Sequence, residues 1–318
     1  MSRKSIANWM TLHGSLSRRL DRKNRAARLA ILAAAAFSPV LGAAEYPSSD
    51  AGARDKIVAQ AQPFDLDQVH LLEGPFKNAQ QTDRQYLLAL NVDLLCYPFR
   101  REAQLPTPVK GRDELGFNYN GTHLGHYLSA CALMVRNTGD PELKKRADGV
   151  VALLGQCQEK IGTGFVMGFP EEKMKDFIAT AKLRPAKESP QNITVPWYSL
   201  HKVYAGLLDM YVQTGNQQAL EVLCRSIDWL WAQVGDLPEK HMQKLMENEI
   251  GGMSELLANL YGVTGKQEYL TLSRRFQENS LMEPLARGED PLDERHANSR
   301  IPRFVGTVRQ YALTADPV

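Results

Sequence analysis

Apolar stretches of helical period alternate along the chain with short polar turns, while strand-like patterns are scarce. One phrase ends four of these stretches: Thr138-Gly139, Thr214-Gly215, Thr264-Gly265 and, with alanine in place of glycine, Thr314-Ala315. The four threonines are 76, 50 and 50 residues apart. Glycine just past a helix adopts the left-handed C-cap conformation easily, and a second helix follows the turn. The repeat therefore predicts an array of helical hairpins.

An open solenoid and a closed toroid, an (α/α) barrel, both satisfy this repeat. The helix ahead of each threonine is apolar around most of its circumference, and residues 201–212 include only two charged residues, Lys202 and Asp209. Such a helix is buried on two sides, as in the inner ring of a toroid. The partner helices, such as residues 221–231, are amphipathic and suit an outer ring. We therefore predict an all-α fold, an (α/α)6 toroid of which four hairpin turns are present.

The repeat also brings polar residues to one rim of the predicted toroid. Counting 12 or 13 residues back from a threonine reaches His126, His201 and the pair Gly251-Gly252, with Glu249 just ahead. A polar loop, residues 296–300, precedes the fourth inner helix. Neutral histidine and asparagine each offer the donor and acceptor that a sugar hydroxyl needs, and aromatic rings can stack on a sugar face. The predicted sugar-binding residues are His126, His201, Glu249, His296, Asn298, Trp197 and Tyr198.

Plainer interpretations of these residues remain open. A histidine near a helix start can serve as a cap or a structural residue, and the double glycine suits close helix approach. A histidine metal site has only His123 and His126, three residues apart, in its favour. The stretch 161–196, which lengthens the first repeat interval, either shapes a binding site or forms a surface loop.

The N-terminus has the pattern of an export signal. Residues 1–44 contain eight of the basic residues and one acid, and residues 29–44 (LAILAAAAFSPVLGAA) are almost wholly apolar and end in small residues. This predicts a secretory signal peptide over 1–44, a polar linker over 45–62 and a periplasmic or extracellular protein. An uncleaved membrane anchor and a twin-arginine export route are the alternatives. The rest of the chain carries 30 basic and 35 acidic residues, which argues against a nucleic-acid or stable membrane partner.

The four cysteines, Cys96, Cys131, Cys157 and Cys224, are far apart in sequence and include no C-x-x-C pair. Two of them lie within apolar helical stretches, where a free thiol behaves as a small hydrophobe. We expect core thiols, although an oxidising compartment permits a disulfide.

Five segments together resemble glycoside hydrolase family 127 and its close relative family 146. They are residues 63–76 (PFDLDQVHLLEGPF), 121–130 (GTHLGHYLSA), 195–209 (VPWYSLHK with AGLLD), 249–261 (EIGGMSELLANLY) and 296–302 (HANSRIP). The resemblance runs in order from about residue 63 to residue 318. It implies a catalytic-domain region over 63–318, an (α/α)6 barrel that β-sandwich domains follow in the family, and action on terminal β-L-arabinofuranosyl residues.

The family's chemistry, as the resemblance implies it, uses a cysteine nucleophile held on zinc by three cysteines and a glutamate, with a second glutamate as acid/base. In the family these groups follow the HAN-type loop that corresponds here to residues 296–298. None of the four cysteines matches a zinc ligand, so we assign neither a catalytic residue nor a metal ligand. We expect zinc in complete members of the family only, and a chain that lacks the catalytic portion and the β-sandwich domains.

Three functions are therefore weighed. The first is a β-L-arabinofuranosidase-type glycoside hydrolase with a carbohydrate substrate, here as a truncated chain whose C-terminal portion is a missing partner. The second is a non-catalytic helical array that binds a glycan or a protein. The third is another carbohydrate enzyme on an (α/α) toroid, such as an unsaturated-uronide hydrolase or an epimerase.

Overall fold

The structure, a computed structural model, describes residues 55–61, 63–109, 121–183 and 193–316. The predicted signal peptide and most of the predicted linker lie outside these residues. The described ranges contain one short 3-10 helix (Leu66–Gln68), twelve α-helices and no strand. The helices are α1 (Pro75–Ala89), α2 (Val92–Glu102), α3 (Thr122–Thr138), α4 (Pro141–Ile161), α5 (Glu171–Thr180), α6 (Pro196–Thr214), α7 (Gln217–Val234), α8 (Glu239–Leu245), α9 (Met253–Thr264), α10 (Gln267–Arg275), α11 (Asn279–Ala286) and α12 (Ala297–Thr314).

The four repeated turns share one local structure. Each threonine ends an inner helix and donates its hydroxyl to the carbonyl four residues back, as Thr138 does to Met134 at 2.7 Å and Thr314 to Gln310 at 2.9 Å. The residue after each threonine is left-handed, with φ of 70°, 71°, 74° and 57° in chain order. Asp140 then caps α4, because its side chain accepts hydrogen bonds from the backbone N–H groups of Glu142 and Leu143 in the first turn of that helix. These local bonds turn the repeated phrase into repeated hairpins.

The helices form two rows. The inner row is α3, α6, α9 and α12, with each helix packed on the next, and the outer row of α4, α7 and α10 packs behind it. The core runs between the two rows and takes apolar residues from α3, α6 and α9, whereas the buried residues of α12 are mostly polar. The all-α toroidal architecture predicted from the sequence is confirmed for the described residues.

Two glycines let the first inner helices cross closely. A Cβ atom on Gly125 of α3 would lie 2.1 Å from the carbonyl oxygen of Lys202 on α6. A Cβ atom on Gly206 of α6 would lie 2.5 Å from the carbonyl oxygen of Gly125. Any larger side chain would push α3 and α6 apart, and this crossing lies directly beside His126 and His201.

The segments outside the hairpins are also anchored. The described part of the predicted linker packs on α12: Lys56 and Ile57 both donate backbone N–H groups to Ala312, and Asp55 pairs with Arg309 at 2.6 Å. The stretch after α4 contains helix α5, which packs on α7 and buries Phe177. The described part of the 161–196 stretch is therefore a packed element and not only a surface loop.

Candidate functional site

The starts of α3 and α6 bring two predicted sugar-binding histidines together. His126 is exposed in the second turn of α3, and His201 is half-buried in the second turn of α6. The His201 ring lies against the double glycine ahead of α9, because a Cβ atom on Gly251 or Gly252 would lie 2.8 Å from one of its ring nitrogens. The double glycine thus makes room for an imidazole, which is a more specific role than the close helix approach weighed from the sequence.

Both histidines are held neutral. The pKa of His201 is lowered to about 3, mainly by burial and to a smaller extent by the Lys202 ammonium and by His126. The pKa of His126 is lowered by loss of solvent first, and then by Lys202 and His123. A neutral imidazole has one donor and one acceptor nitrogen, so each ring can both donate to and accept from a sugar hydroxyl. The Nδ1 atom of His201 is buried and has no hydrogen-bond partner in the structure.

Lys202 occupies the centre of this rim, and the sequence analysis did not select it. Its charge acts on both histidines, and the carboxylates of Glu249 and Glu255 act on its own pKa, which burial lowers. Its Nζ atom lies 4.8 Å from the centre of the Tyr198 ring. The signal was present in the sequence, because Lys202 is one of two charged residues on a helix that is otherwise apolar.

Glu249 and Asn298 meet across the gap between the α8–α9 segment and the start of α12. The Asn298 side-chain amide donates to Glu249 Oε1 at 3.3 Å. His296 is exposed two residues earlier, at the N-cap position of α12, and its side chain makes no capping bond there. The two segments predicted to line the pocket are therefore in contact.

The two predicted stacking residues differ. Trp197 is fully buried, donates its ring N–H to the carbonyl of Leu245 at 3.3 Å, and packs edge-on against Phe177 and Phe276. Its ring has no exposed face, so the prediction that it stacks on a sugar is wrong and we remove it from the candidate set. Tyr198, the next residue on the helix, is half-buried beside Gly251 and stays a candidate.

Two carboxyl groups extend the polar surface along the inner helices. The pKa of Asp209 on α6 is raised to about 6, mainly by burial. The hydrogen bond with Ser129 lowers this pKa, and the nearby Glu255 carboxylate raises it. Burial also raises the pKa of Glu255 on α9, while Asn259, Arg309 and Lys202 lower it. Asp209 and Glu255 stand out in sequence only as charges on apolar helices.

The cysteines do not fit the three-cysteine zinc set that the family resemblance implies. They lie on four different helices, α2, α3, α4 and α7, and all are free thiols. Burial raises the pKa of Cys96 to about 12 and of Cys131 and Cys157 to about 11, whereas a zinc ligand must be a thiolate. Within the described ranges no three His, Cys, Asp or Glu side chains converge as a metal site would require. We derive no step through zinc.

Two further features lie apart from the rim. A cavity of about 590 Å³ between α8 and α11 is lined by Lys240, His241, Lys244 and Glu278 among others, and by none of the predicted sugar-binding residues. In the part of the chain that the structure describes, no helix is long and apolar enough to cross a membrane.

Fold and site together define a toroidal scaffold of helical hairpins with a cluster of polar side chains at one rim. Residues 68–318 match the family described as beta-L-arabinofuranosidase, GH127 catalytic domain, and the chain belongs to this family of glycoside hydrolases. The family assignment made from the five sequence segments is thereby confirmed. A search of curated proteins found no significant match.

Two solved structures are similar in fold. One is a GH127 β-arabinofuranosidase, 17% identical, with a TM-score of 0.54 over 80% of this chain and 41% of that one. The other is the GH127 β-L-arabinofuranosidase Ara127N from Geobacillus stearothermophilus T6, 21% identical, with a TM-score of 0.43 over 71% of this chain and 34% of that one. The chain thus spans less than half the length of either structure.

Proposed function

We propose that this chain forms the sugar-binding rim of a β-L-arabinofuranosidase-type glycoside hydrolase and binds terminal L-arabinofuranosyl residues of plant-type glycans. The carrying observation is that neutral His126 and His201 converge on Lys202, with Glu249 and Asn298 completing the rim. A furanose has hydroxyls on both edges, and this set offers donors and acceptors from three inner helices. Tyr198 supplies the aromatic surface.

The binding energy in this proposal comes from hydrogen bonds. Hydroxyls bound by a charged partner such as Lys202 or Glu249 form stronger bonds than neutral pairs. Among the described residues, no Arg side chain belongs to the proposed rim, so these residues offer a carboxylate-bearing uronide no bidentate guanidinium partner. This favours a neutral pentose over the unsaturated uronides that the third sequence hypothesis would require.

We further propose that the exposed face of α12 receives a further helical part of the toroid. Ile301, Val305, Val308 and Tyr311 recur at helical spacing on this face and are 42% to 67% exposed. Neighbouring inner helices pack side by side along the row, so a further helix on α12 would continue the same arrangement. The groups that perform hydrolysis would then be contributed by that part, and we place none of them among the described residues. Export to the periplasm or the medium is proposed from the N-terminal sequence alone.

The binding proposal is tested by titrating the full chain with methyl β-L-arabinofuranoside and following saturation-transfer NMR signals of the sugar. Methyl α-L-arabinofuranoside and a methyl uronide serve as matched ligands. We expect saturable binding of the β-L-arabinofuranoside, weakened about tenfold or more in Asn298→Ala. Equal signals for all three sugars, or wild-type affinity in Asn298→Ala, would overturn the proposal.

A further inference from the structure

One buried carboxylate lies among three guanidinium groups behind the α8–α9 segment. Glu278 is 7% exposed and precedes α11. Its Oε1 accepts from Arg295 at 3.1 Å, and its Oε2 contacts Arg303 at 2.8 Å and also accepts from Arg300.

The three arginines flank residues 296–299, which form the N-cap and first turn of α12 and not the loop predicted from the sequence. Arg295 precedes this segment, Arg300 follows it, and Arg303 lies one turn further along α12. Since all three contact the same carboxylate, Glu278 holds this segment from both ends.

Arg303 extends the same cluster to the facing segment. Its side chain is fully buried, and its Nε donates to the carbonyl of Ser299 at 3.1 Å. Its Nη2 donates to the carbonyls of Met246 at 3.1 Å and Asn248 at 3.4 Å, immediately before Glu249. A planar guanidinium with five donors can hold two backbone segments and a carboxylate at once, which lysine cannot do.

The cluster depends on Glu278, the one carboxylate that contacts all three guanidinium groups. The pKa of Arg303 is lowered to about 10, mainly by burial and further by the neighbouring Arg300 and Arg295, while Glu278 and, more weakly, Glu249 oppose this shift. Without the Glu278 carboxylate, the buried guanidinium would lose the anion that contacts it and would keep only the weaker attraction of Glu249 against the repulsion of Arg300 and Arg295. Arg303 would then release the carbonyls of Met246 and Asn248.

We propose that Glu278 is a positioning residue that fixes residues 296–299, at the start of α12, against the 246–249 segment and so sets the 3.3 Å contact between Asn298 and Glu249. Glu278 lies outside the rim and acts through Arg300 and Arg303. Its effect on sugar affinity rests on the proposed function, but its effect on the two segments does not.

The first test is amide hydrogen exchange in the full chain, comparing Glu278→Gln with wild type. Glu289→Gln is the matched control, because Glu289 pairs with Arg287 on the surface nearby and both are more than half exposed. We expect exchange at residues 246–249 and 296–300 to rise about tenfold or more in Glu278→Gln, with α3 and α6 unchanged. Unchanged exchange in those segments, or an equal rise in every helix, overturns the positioning role.

Two arginine variants keep the test decisive if Glu278→Gln fails to fold. Arg300→Gln removes the contact between Arg300 and Glu278 and leaves Arg303 in place, so amide exchange should rise at residues 296–300 alone. Arg303→Gln removes the bridge and should raise exchange in both segments. If Arg303→Gln leaves 246–249 at wild-type protection, the bridge is refuted.

The second arm measures affinity for methyl β-L-arabinofuranoside by the same NMR titration. The affinity should fall about tenfold or more in Glu278→Gln and less than about twofold in Glu289→Gln. Unchanged affinity together with faster local exchange overturns the link from positioning to sugar binding. If wild type binds no sugar, the proposed function fails, while the exchange experiment still decides the role of Glu278.

Discussion

His201 and Asp209 on α6 should give the stability of this protein two opposing pH dependences. Burial lowers the pKa of His201 from 6.5 to about 3 and raises the pKa of Asp209 from 3.8 to about 6. Between pH 4 and 6 unfolded His201 is protonated while folded His201 is not, so its contribution to stability increases with pH and is lost as pH falls from 6.5 toward 3. Asp209 behaves oppositely: its contribution is present below 3.8 and lost as pH rises through 6.

The magnitudes follow from proton counts. One proton bound on unfolding changes the free energy of unfolding by about 1.4 kcal/mol per pH unit. Over the two units from pH 4 to 6, His201 should add about 2 kcal/mol and Asp209 should remove about 2 kcal/mol, so the two effects nearly cancel in the wild type. Each single substitution should reveal the other's slope.

The assay is urea unfolding, followed by tryptophan fluorescence at pH 4, 5 and 6, of wild type, His201→Gln and Asp209→Asn. Relative to wild type, His201→Gln should lose about 2 kcal/mol from pH 4 to 6 and Asp209→Asn should gain about as much. Lost packing is independent of pH and drops out of this comparison, and His70→Gln, at an exposed position, controls for the substitution itself. Curves parallel to wild type for both variants would refute the claim that burial holds His201 neutral and Asp209 protonated.

Two further predictions concern the inner helices. Gly125→Ala should destabilise the fold by about 3 kcal/mol, because its Cβ would lie 2.1 Å from a backbone oxygen. The control Gly149→Ala on α4, whose Cβ would have nothing within 4 Å, should instead stabilise the fold by about 0.5 to 1 kcal/mol. Thermal or urea unfolding measures both, and equal effects would contradict the close crossing of α3 and α6. Val308 is 67% exposed on the apolar face of α12, so Val308→Asp should reduce association between copies of the chain, with little change in the stability of the fold. Sedimentation velocity at several protein concentrations measures this association. Association as strong as in wild type would argue against that face as a docking surface.

The hairpins were predictable because their signals are local. A threonine that bonds back to the previous turn and a left-handed glycine after it fix each turn within five residues, whatever the rest of the chain does. The phase of the repeat then carried His126 and His201 to the same rim. For the same reason the outer and inner rows could be told apart from hydrophobic pattern alone.

The remainder depended on contacts distant in sequence. Trp197 and Tyr198 are adjacent, yet one points into the core against Phe177 and Phe276 and the other toward the rim, and only packing decides which. The cluster around Glu278 joins segments without any repeat. Lys202 could have been predicted as a rim residue, because it is one of only two charged residues on an otherwise apolar inner helix.

The rim should bind an L-arabinofuranosyl group, and NMR of the full chain with labelled histidines tests this binding most directly. Addition of methyl β-L-arabinofuranoside should shift the ring signals of His126, His201 and His296 and leave those of His70 and His241, which lie away from the rim, unchanged. The ring signals of His201 should not change between pH 5 and pH 8, because its pKa of about 3 keeps the ring neutral over this range. Shifts confined to His241, or none at any sugar concentration, would contradict the claim.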